Sequence, residues 1–319
     1  MEWLLLSIII ILVTLYLPYL FKTFRLKKIN ISHIPEEGDW AKLSDGNIFY
    51  RWFHPKKEFL NGETIVMVHG FSTPSFVWGG LIDNFCDSGF KVLVYDHFGR
   101  GFSERPSVAY DQDLYVESLR GLLDYQNISQ SVHLVGYSMG GPVVGYFTQQ
   151  YPDSVKSISF IAPAGFMQED SVSRIAVMPI VGDWFWQVFG KWLYFREVRK
   201  EATSADDSVG LSESEFVKKY SVQMEYKGLI KALLSTVRNF DFFNAKRMFG
   251  KVGELKIPTI TIWGTDDGVV PFVGSSELMQ SIPHSELKII NQGKHDIAYA
   301  NSSDVGNTII EFLDKQPKS

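Results

Sequence analysis

Cysteine is scarce in this sequence, and basic residues are slightly outnumbered by acidic ones. Cys86 is the one cysteine among 319 residues, which excludes an internal disulfide framework, and no group of cysteines and histidines has metal-ligand spacing. The 31 Lys and Arg residues are outnumbered by 36 Asp and Glu residues, so the net charge is −5. Because proteins that bind nucleic acid need a basic face, we expect neither a metal site nor a nucleic-acid partner.

A dinucleotide-binding loop is missing as well. The glycines of GRGFSE, residues 99–104, match the first half of the G-x-G-x-x-G fingerprint, but Glu104 stands where the third glycine is required. The sequence therefore predicts no nucleotide cofactor, and we expect the protein to work without any cofactor.

The N-terminal segment has no charged residue from Trp3 to Phe21. As a helix, this apolar run would be about 28 Å long, close to the roughly 30 Å hydrocarbon thickness of a bilayer. A cleaved signal peptide would have positive charge before the run and small residues at its cleavage site, whereas Glu2 precedes the run and no alanine occurs before Ala41. The segment is therefore predicted to be an uncleaved transmembrane helix.

The residues that follow this helix favour one orientation. By the positive-inside rule, the rest of the chain is expected on the cytoplasmic side, because four basic residues come next: Lys22, Arg25, Lys27 and Lys28. We assign residues 1–28 to a membrane anchor with a basic juxtamembrane segment, and residues 29–319 to the main domain.

The main domain alternates short apolar runs with segments of helix length. WAKLSDGNIFYRWF is typical of a hairpin that turns at Asp45-Gly46. The later runs are rich in β-branched residues and apolar on both faces, as in a parallel sheet covered by helices: TIVMVHG, FKVLVYDHFG, SVHLVGYS, VKSISFIAPAG, PTITIWG and ELKIINQG. The sequence thus predicts an α/β fold with a mostly parallel sheet, interrupted by a helical cap insertion at about 166–250.

One of these runs ends in GYSMG, residues 136–140, which fits the G-x-S-x-G pattern of a nucleophile elbow. In that motif the serine occupies a strained turn between a strand and a helix, and small residues two before and two after it let the backbones cross closely. The motif follows a predicted strand, and GGPVVGYFTQQYP continues as a predicted helix. The pattern predicts that Ser138 is a nucleophile.

A serine nucleophile needs a base and a carboxylate that orients the base. Of the seven histidines, His295 follows the last predicted strand, in NQGKHDIAYAN, whereas His133 lies inside a strand. The strand before His295 is followed by Asp266 and Asp267, in IWGTDDGVVP. His295 is therefore the candidate base, and the residues alone leave both aspartates open as its partner.

Four sequence blocks together resemble the α/β-hydrolase superfamily over Asp39 to Leu313: VHGFSTPSFVW, YDHFGRGFSERP, GYSMGGPV, and WGTDDGVVP with GKHD. The order serine, aspartate, histidine along the chain is also that of the superfamily. Its members usually have G-x-x-D with a proline four residues later, which Gly264, Asp267 and Pro271 match. The resemblance implies the α/β-hydrolase fold and favours Asp267 over Asp266.

The resemblance also implies an oxyanion hole made of two backbone N–H groups. One is the N–H of Met139, directly after the nucleophile, and the other is that of Phe71 in the HGF segment. By the same resemblance, Arg100 belongs to a structural loop after the fourth strand.

The cap insertion carries DWFWQVFGKWLYF, with seven aromatic residues between Trp184 and Phe195. A helix packed onto the main domain explains some of them, but their number predicts an apolar cavity or lid for an acyl chain. Membrane contact by the same face is an alternative. The candidate substrate-binding residues are Trp184, Trp186 and Phe189.

These interpretations predict a membrane-anchored serine hydrolase that cleaves small-molecule or acyl-lipid esters, most similar to monoacylglycerol lipase and carboxylesterase types. His295 would take the proton of Ser138, and Asp267 would orient the imidazole. Two alternatives stay open. A carbon–carbon bond hydrolase of the meta-cleavage-product type would use the same three residues, and a non-catalytic binding protein on this fold would normally have lost one of them.

Overall fold

The computed structural model describes residues 2–57, 60–167, 177–202 and 213–316, and its strands form one eight-stranded sheet. The strands are β1 (Asp39–Leu43), β2 (Gly46–Phe53), β3 (Thr64–Val68), β4 (Lys91–Tyr95), β5 (Val132–Tyr137), β6 (Val155–Ile161), β7 (Thr259–Gly264) and β8 (Glu286–Ile290). Their order across the sheet is β1-β2-β4-β3-β5-β6-β7-β8.

The sheet has an antiparallel edge and a parallel body. β1 and β2 form the hairpin predicted at Asp45-Gly46, with Leu43 opposite Gly46, and β2 pairs antiparallel with β4. From β4 through β8 all neighbouring strands are parallel. Every residue of β5 and β7 is buried, as expected for strands covered on both faces. The predicted mostly parallel sheet is confirmed.

Helices cover the sheet in two groups. One group is α2 (Gly79–Asp87) and the C-terminal α11 (Ser302–Asp314), which contact each other. The other contains α3 (Gln112–Tyr125), α4 (Gly140–Gln150), α8 (Lys246–Glu254) and α9 (Gly274–Ser281). The short helix α10 (Ile297–Ala300) precedes α11. This layering places the carboxyl ends of the parallel strands at one edge, where ligand sites of open α/β sheets lie.

The chain between β6 and β7 is helical where it is described. It contains α5 (Val181–Ala202), α6 (Glu213–Gln223) and α7 (Leu229–Asn239), and it leads into α8. Residues 168–176 and 203–212 of the predicted cap lie outside the described residues. The domain boundaries at 28/29 and about 166–250 stay predictions.

The N-terminal segment forms the helix α1 (Glu2–Phe24), so its helical conformation is as expected. Within the described residues, however, no helix is both long and apolar enough to cross a bilayer. The predicted transmembrane span is therefore not supported. The helix has a partner in the protein itself, because α1 packs along α5 and the indole N–H of Trp184 donates to the carbonyl oxygen of Leu15 at 2.6 Å.

Candidate active site

The turn between β5 and α4 holds Ser138 in the left-handed region, with φ of 53°. Two crossings of the backbone keep it there. A Cβ on Gly136 would lie 2.6 Å from the carbonyl oxygen of Gly140, and a Cβ on Gly140 would lie 2.0 Å from that of Val68. Since neither position leaves room for a side chain, the close approach of the backbones requires glycine at both. The resulting turn has the conformation of a nucleophile elbow.

Ser138, His295 and Asp267 lie in hydrogen-bond contact, although they follow three different strands. The distance from His295 Nε2 to Ser138 Oγ is 3.0 Å, and that from His295 Nδ1 to Asp267 Oδ2 is 2.8 Å. Since a carboxylate can only accept, His295 Nδ1 carries the proton on that side and Nε2 is left to accept from the serine hydroxyl. The arrangement can transfer a proton from Ser138 to His295 while the carboxylate stabilises the imidazolium.

The two adjacent aspartates have different surroundings. The Asp267 side chain is buried, and its second oxygen, Oδ1, accepts the backbone N–H groups of Val269 and Val270 at 2.9 and 2.8 Å. Asp266 is exposed, and its Oδ1 accepts from the hydroxyl of Thr265, its own neighbour. The structure therefore brings Asp267, and not Asp266, to His295.

The loop after β3 brings Phe71 next to the nucleophile. A Cβ on Gly70 would lie 3.2 Å from Cβ of Ser138, so this loop runs directly against the serine. Among the described residues, neither the N–H of Phe71 nor that of Met139 donates a hydrogen bond to another residue. These two N–H groups, predicted to bind an oxyanion, are thus free to do so.

Two buried histidines brace this loop. His69 Nδ1 lies 2.8 Å from the carbonyl oxygen of Gly70, while His69 Nε2 accepts the N–H of His97 at 2.9 Å. His97 Nε2 in turn lies 3.0 Å from the carbonyl oxygen of His69. Burial lowers the pKa of His69 to about 3 and holds the pKa of His97 well below its usual value. Both rings are therefore neutral at pH 7 and join the loops after β3 and β4.

Tyr137, the second residue of GYSMG, contacts His295 in a way that the sequence did not reveal. Its hydroxyl donates to the carbonyl oxygen of His295 at 2.8 Å, and its ring lies 5.2 Å from the imidazole centroid, tilted by 32°. The nucleophile elbow thus also helps to position the base. No pattern in the sequence pointed to this contact, because the partners are 158 positions apart.

The three predicted substrate-binding residues lie on α5, beside α1. Trp184 lines a groove of about 630 Å³ together with Tyr16 and Tyr19, and neither Ser138 nor His295 lines that groove. Trp186 lies near Lys22 of α1, and Phe189 is 42% exposed. The side chains of 194 and 195, in the same aromatic run, lie outside the described residues. A role of Trp184, Trp186 and Phe189 in substrate binding stays a prediction.

Other aromatic residues lie beside the oxyanion loop. The ring of Phe242, which follows α7, meets that of Phe71 edge to face at 5.6 Å. The carbonyl oxygen of Phe242 accepts the N–H of Gly165, and the neighbouring N–H of Ala164 donates to the carbonyl oxygen of Ser138. Phe242 is thus connected to Ser138 through the backbone of Ala164 and Gly165. The run NFDFFNAK that contains it was not singled out in the sequence.

The described residues contain no group of three or more histidine, cysteine, aspartate or glutamate side chains arranged to hold a metal ion.

Comparison with known proteins agrees with this geometry. The alpha/beta hydrolase fold family matches residues 63–301, so the chain belongs to that family. It is 24% identical over 86% of its length to a 2-hydroxy-6-oxo-6-phenylhexa-2,4-dienoate hydrolase of Comamonas testosteroni, covering 95% of that protein. It is also 24% identical to monoacylglycerol lipase ABHD6 of Bos taurus, over 78% of this chain and 75% of that one.

A solved structure shows the same fold. The thermophilic esterase of Thermogutta terrifontis, with malate bound, superposes with a TM-score of 0.71 at 20% identity, covering 87% of this chain and 98% of the esterase. The predicted α/β-hydrolase fold and the predicted resemblance to the superfamily are both confirmed. The relatives include a carbon–carbon hydrolase and a monoacylglycerol lipase at equal identity, so the family alone leaves the substrate open.

Proposed function

We propose that the protein is a serine hydrolase that cleaves carboxylic esters through an acyl-enzyme. One observation carries this proposal: a continuous hydrogen-bonded chain joins Asp267, His295 and Ser138, with distances of 2.8 and 3.0 Å, next to two backbone N–H groups without partners among the described residues. A non-catalytic protein on this fold would have no need to keep all these elements.

The reaction follows from the positions of these groups. Ser138 Oγ attacks the ester carbonyl carbon while its proton moves to His295 Nε2, and the carbonyl oxygen becomes an oxyanion that accepts from the N–H groups of Phe71 and Met139. His295 then protonates the departing alcohol, which leaves an acyl group on Ser138. A water molecule, deprotonated by His295, attacks the acyl carbon and releases the acid. Asp267 keeps the imidazole oriented throughout.

An acyl-chain substrate is supported by the surroundings of the site. The rings of Phe71 and Phe242 meet edge to face at 5.6 Å, and Phe71 belongs to the loop that runs against Ser138. Each methylene that enters an apolar site adds at most about 0.8 kcal/mol, so such a site favours longer acyl groups. We therefore place monoacylglycerol-like esters, which carry one acyl chain and a polar alcohol, first among the substrates.

A carbon–carbon hydrolase is the second candidate, because the chain is 24% identical to a 2-hydroxy-6-oxo-6-phenylhexa-2,4-dienoate hydrolase over 86% of its length, the same identity as to the lipase. It would use the same serine, histidine and aspartate. The two activities differ in the electrophile, which is an ester in one case and a vinylogous diketone in the other.

We further propose that α1 brings the enzyme to a membrane. Its side chains include exposed large apolar groups, among them Trp3 at 82% exposure, and Lys22 and Arg25 follow at its C-terminal end. Contact with lipid would remove this apolar surface from water, and the basic residues would meet anionic headgroups. A cytoplasmic position of the catalytic domain is part of this proposal.

The proposed function is tested first by a fluorophosphonate probe. We expect the probe to label Ser138 and to leave Ser138→Ala unlabelled, because the hydroxyl is nucleophilic only with His295 beside it. Labelling of the alanine variant at the wild-type level would refute Ser138 as the nucleophile.

The substrate class is tested with p-nitrophenyl esters of increasing chain length, monoacylglycerols and a vinylogous diketone. We expect kcat/KM to rise with acyl length by at most about fourfold per methylene. Phe242→Leu should flatten this dependence if the chain lies beside the oxyanion loop, and Trp184→Ala with Trp186→Ala should do so if it lies under α5. A flat profile together with turnover of the diketone would replace the ester assignment by the carbon–carbon one.

A further inference from the structure

Arg100 is completely buried, with 0% of its surface exposed, and no carboxylate of the described residues pairs with it. It is absent from the ion pairs of the described residues, and its guanidinium donates to neutral oxygens instead. An arginine stays protonated in proteins, and a buried unpaired charge is unfavourable unless hydrogen bonds satisfy it. A loop that needed only apolar filling would not require this residue.

Arg100 joins the oxyanion loop to its own loop and to the helix α7, since its Nη1 donates to the carbonyl oxygen of Phe98 at 3.4 Å and its other donors reach further. Its Nε donates to the carbonyl oxygen of Phe71 at 2.8 Å, and its guanidinium lies 5.4 Å from the centroid of the Phe71 ring. Its Nη2 donates to the hydroxyl of Thr236 on α7 at 2.8 Å. The guanidinium thus fixes both the backbone and the side chain of Phe71 from the side of the cap.

Arg100 is one of three side chains that hold consecutive carbonyl groups of this loop. His69 Nδ1 contacts the carbonyl oxygen of Gly70 at 2.8 Å, Arg100 holds that of Phe71, and Gln223 Nε2 donates to that of Ser72 at 2.9 Å. Gln223 is buried at the end of α6, and its Oε1 also accepts the N–H of Gly101, next to Arg100. All three donors belong to buried side chains, and none of them is Ser138, His295 or Asp267.

These contacts restrict the orientation of the peptide groups in the loop. When a loop has each carbonyl oxygen tied to a donor away from the serine, its peptide planes cannot rotate without breaking a buried hydrogen bond. The N–H of Phe71 shares its peptide plane with the carbonyl group of Gly70, which His69 holds, while Arg100 holds the next plane through the carbonyl oxygen of Phe71. The two contacts together fix both peptide planes that flank Phe71, in the loop that runs against Ser138. An oxyanion hole works only if its donors are oriented before the charge forms.

We propose that Arg100 is a positioning residue for the oxyanion hole, acting with Gln223 through the carbonyl groups of Phe71 and Ser72. The inference rests on the proposed function in assuming that the reaction passes through an oxyanion, and it changes the predicted role of Arg100 from a structural loop residue to a determinant of rate. Because Gln223 lies on α6, the same contacts tie the oxyanion loop to the cap.

The test compares Arg100→Met with Arg105→Met. Arg105 is the control, since it is a half-buried arginine of the same loop, and it donates to the carbonyl oxygens of Gly101 and Ser103 rather than to the oxyanion loop. We expect Arg100→Met to lower kcat about 100-fold, to leave KM within about threefold, and to keep the pH profile unchanged because His295 is unaffected. Arg105→Met should lower kcat less than about threefold.

A second readout does not depend on the natural substrate. The rate of fluorophosphonate labelling of Ser138 should fall in Arg100→Met about as much as kcat does, because the phosphoryl oxygen uses the same donors. Absence of labelling in the wild type would mean that the proposed function itself fails. Labelling of the wild type and of Arg100→Met at equal rates, with both folded by circular dichroism, would overturn this inference alone.

Two further variants cover the case in which Arg100→Met does not fold. Gln223→Met removes the donor to Ser72 without removing a charge, and we expect kcat to fall about tenfold with KM unchanged. Arg100→Lys, whose ammonium can reach one carbonyl oxygen, should recover at least about tenfold of the rate lost in Arg100→Met. Wild-type kcat in Gln223→Met, or no recovery in Arg100→Lys, would show that packing rather than the donated hydrogen bonds matters, and would reject the proposal.

Discussion

Two regions of the molecule differ in how their side chains are packed. One is the edge of the sheet at the carboxyl ends of the parallel strands, where Ser138 lies, and the other is the layer formed by α1 and α5. At the sheet edge, the functional residues are buried or half-buried and each has hydrogen-bond partners from other parts of the chain. In the α1–α5 layer, large apolar side chains stay exposed, such as those of Trp3 and Trp192. One region satisfies its polar groups internally, and the other keeps large apolar side chains exposed to solvent.

If α1 brings the enzyme to a membrane, as proposed, chemistry and location are assigned to separate parts of the molecule. The geometry of Ser138 depends on backbone crossings that tolerate almost no change, as the contacts of Gly136 show. The α1–α5 layer depends on apolar area, which varies smoothly with each side chain. Substitutions should therefore act sharply in the first region and weakly in the second, and four predictions follow in order of decreasing effect.

The largest effect is expected at Asp267. Asp267→Asn should lower kcat by about 10⁴-fold, because an amide no longer fixes the Nδ1–H tautomer of His295. Asp266→Asn is the matched control, since Asp266 is exposed and does not contact His295, and it should keep most of the activity. Steady-state kinetics of both variants decide the point. A larger loss in Asp266→Asn would reverse the assignment.

The second prediction concerns stability. Gly136→Ala should lower the free energy of unfolding by about 3 kcal/mol or more, because the new Cβ would meet backbone atoms of Gly140 and Gly141. Gly190→Ala, in the middle of α5, should change it by less than about 1 kcal/mol. There the new Cβ lies 3.2 Å from the side chain of Trp186, which can move. Urea denaturation measures both, and equal losses would contradict the comparison.

The third prediction concerns acid. His69 and His97 have a lowered pKa because they are buried, so the unfolded chain binds protons below about pH 6.5 that the folded chain does not. Their contribution to stability is constant above that pH and falls as the pH drops below it, for His69 down to about pH 3. The destabilisation caused by His97→Asn should therefore be smaller at pH 5 than at pH 7. A difference that is independent of pH would argue against a buried neutral His97.

The smallest effect on catalysis is expected from removal of residues 1–28. The shortened protein should keep kcat on a water-soluble ester within about twofold, since no contact of Ser138, His295 or Asp267 involves α1. The full-length chain should sediment with liposomes even in high salt, because burial of apolar area is not screened by ions. Equal sedimentation of both forms would show that α1 does not hold the enzyme at a membrane.

Much of the active site could be predicted from short local motifs and from their order along the chain. GYSMG marked Ser138 because a strand, a strained turn and a helix have a recognisable sequence, and His295 and the two aspartates followed from their places after predicted strands. The choice between Asp266 and Asp267 needed the family pattern, since neighbouring residues differ in burial only once the loop is folded. Tyr137, Gln223 and Phe242 were not predicted, because their partners lie far away along the chain.

The sequence by itself determined the strands, their mostly parallel arrangement and the place of the nucleophile, because these depend on local patterns of hydrophobic and small residues. It also predicted a transmembrane span at the N-terminus, which the structure does not support. The apolar run predicts a helix of sufficient length, but whether that helix packs against α5 depends on the tertiary structure. Only the tertiary structure decided which aspartate meets His295, which carbonyl groups Arg100 and Gln223 hold, and which aromatic residues lie near Ser138. These contacts join distant segments, and their geometry exists only when the sheet brings the strand ends together.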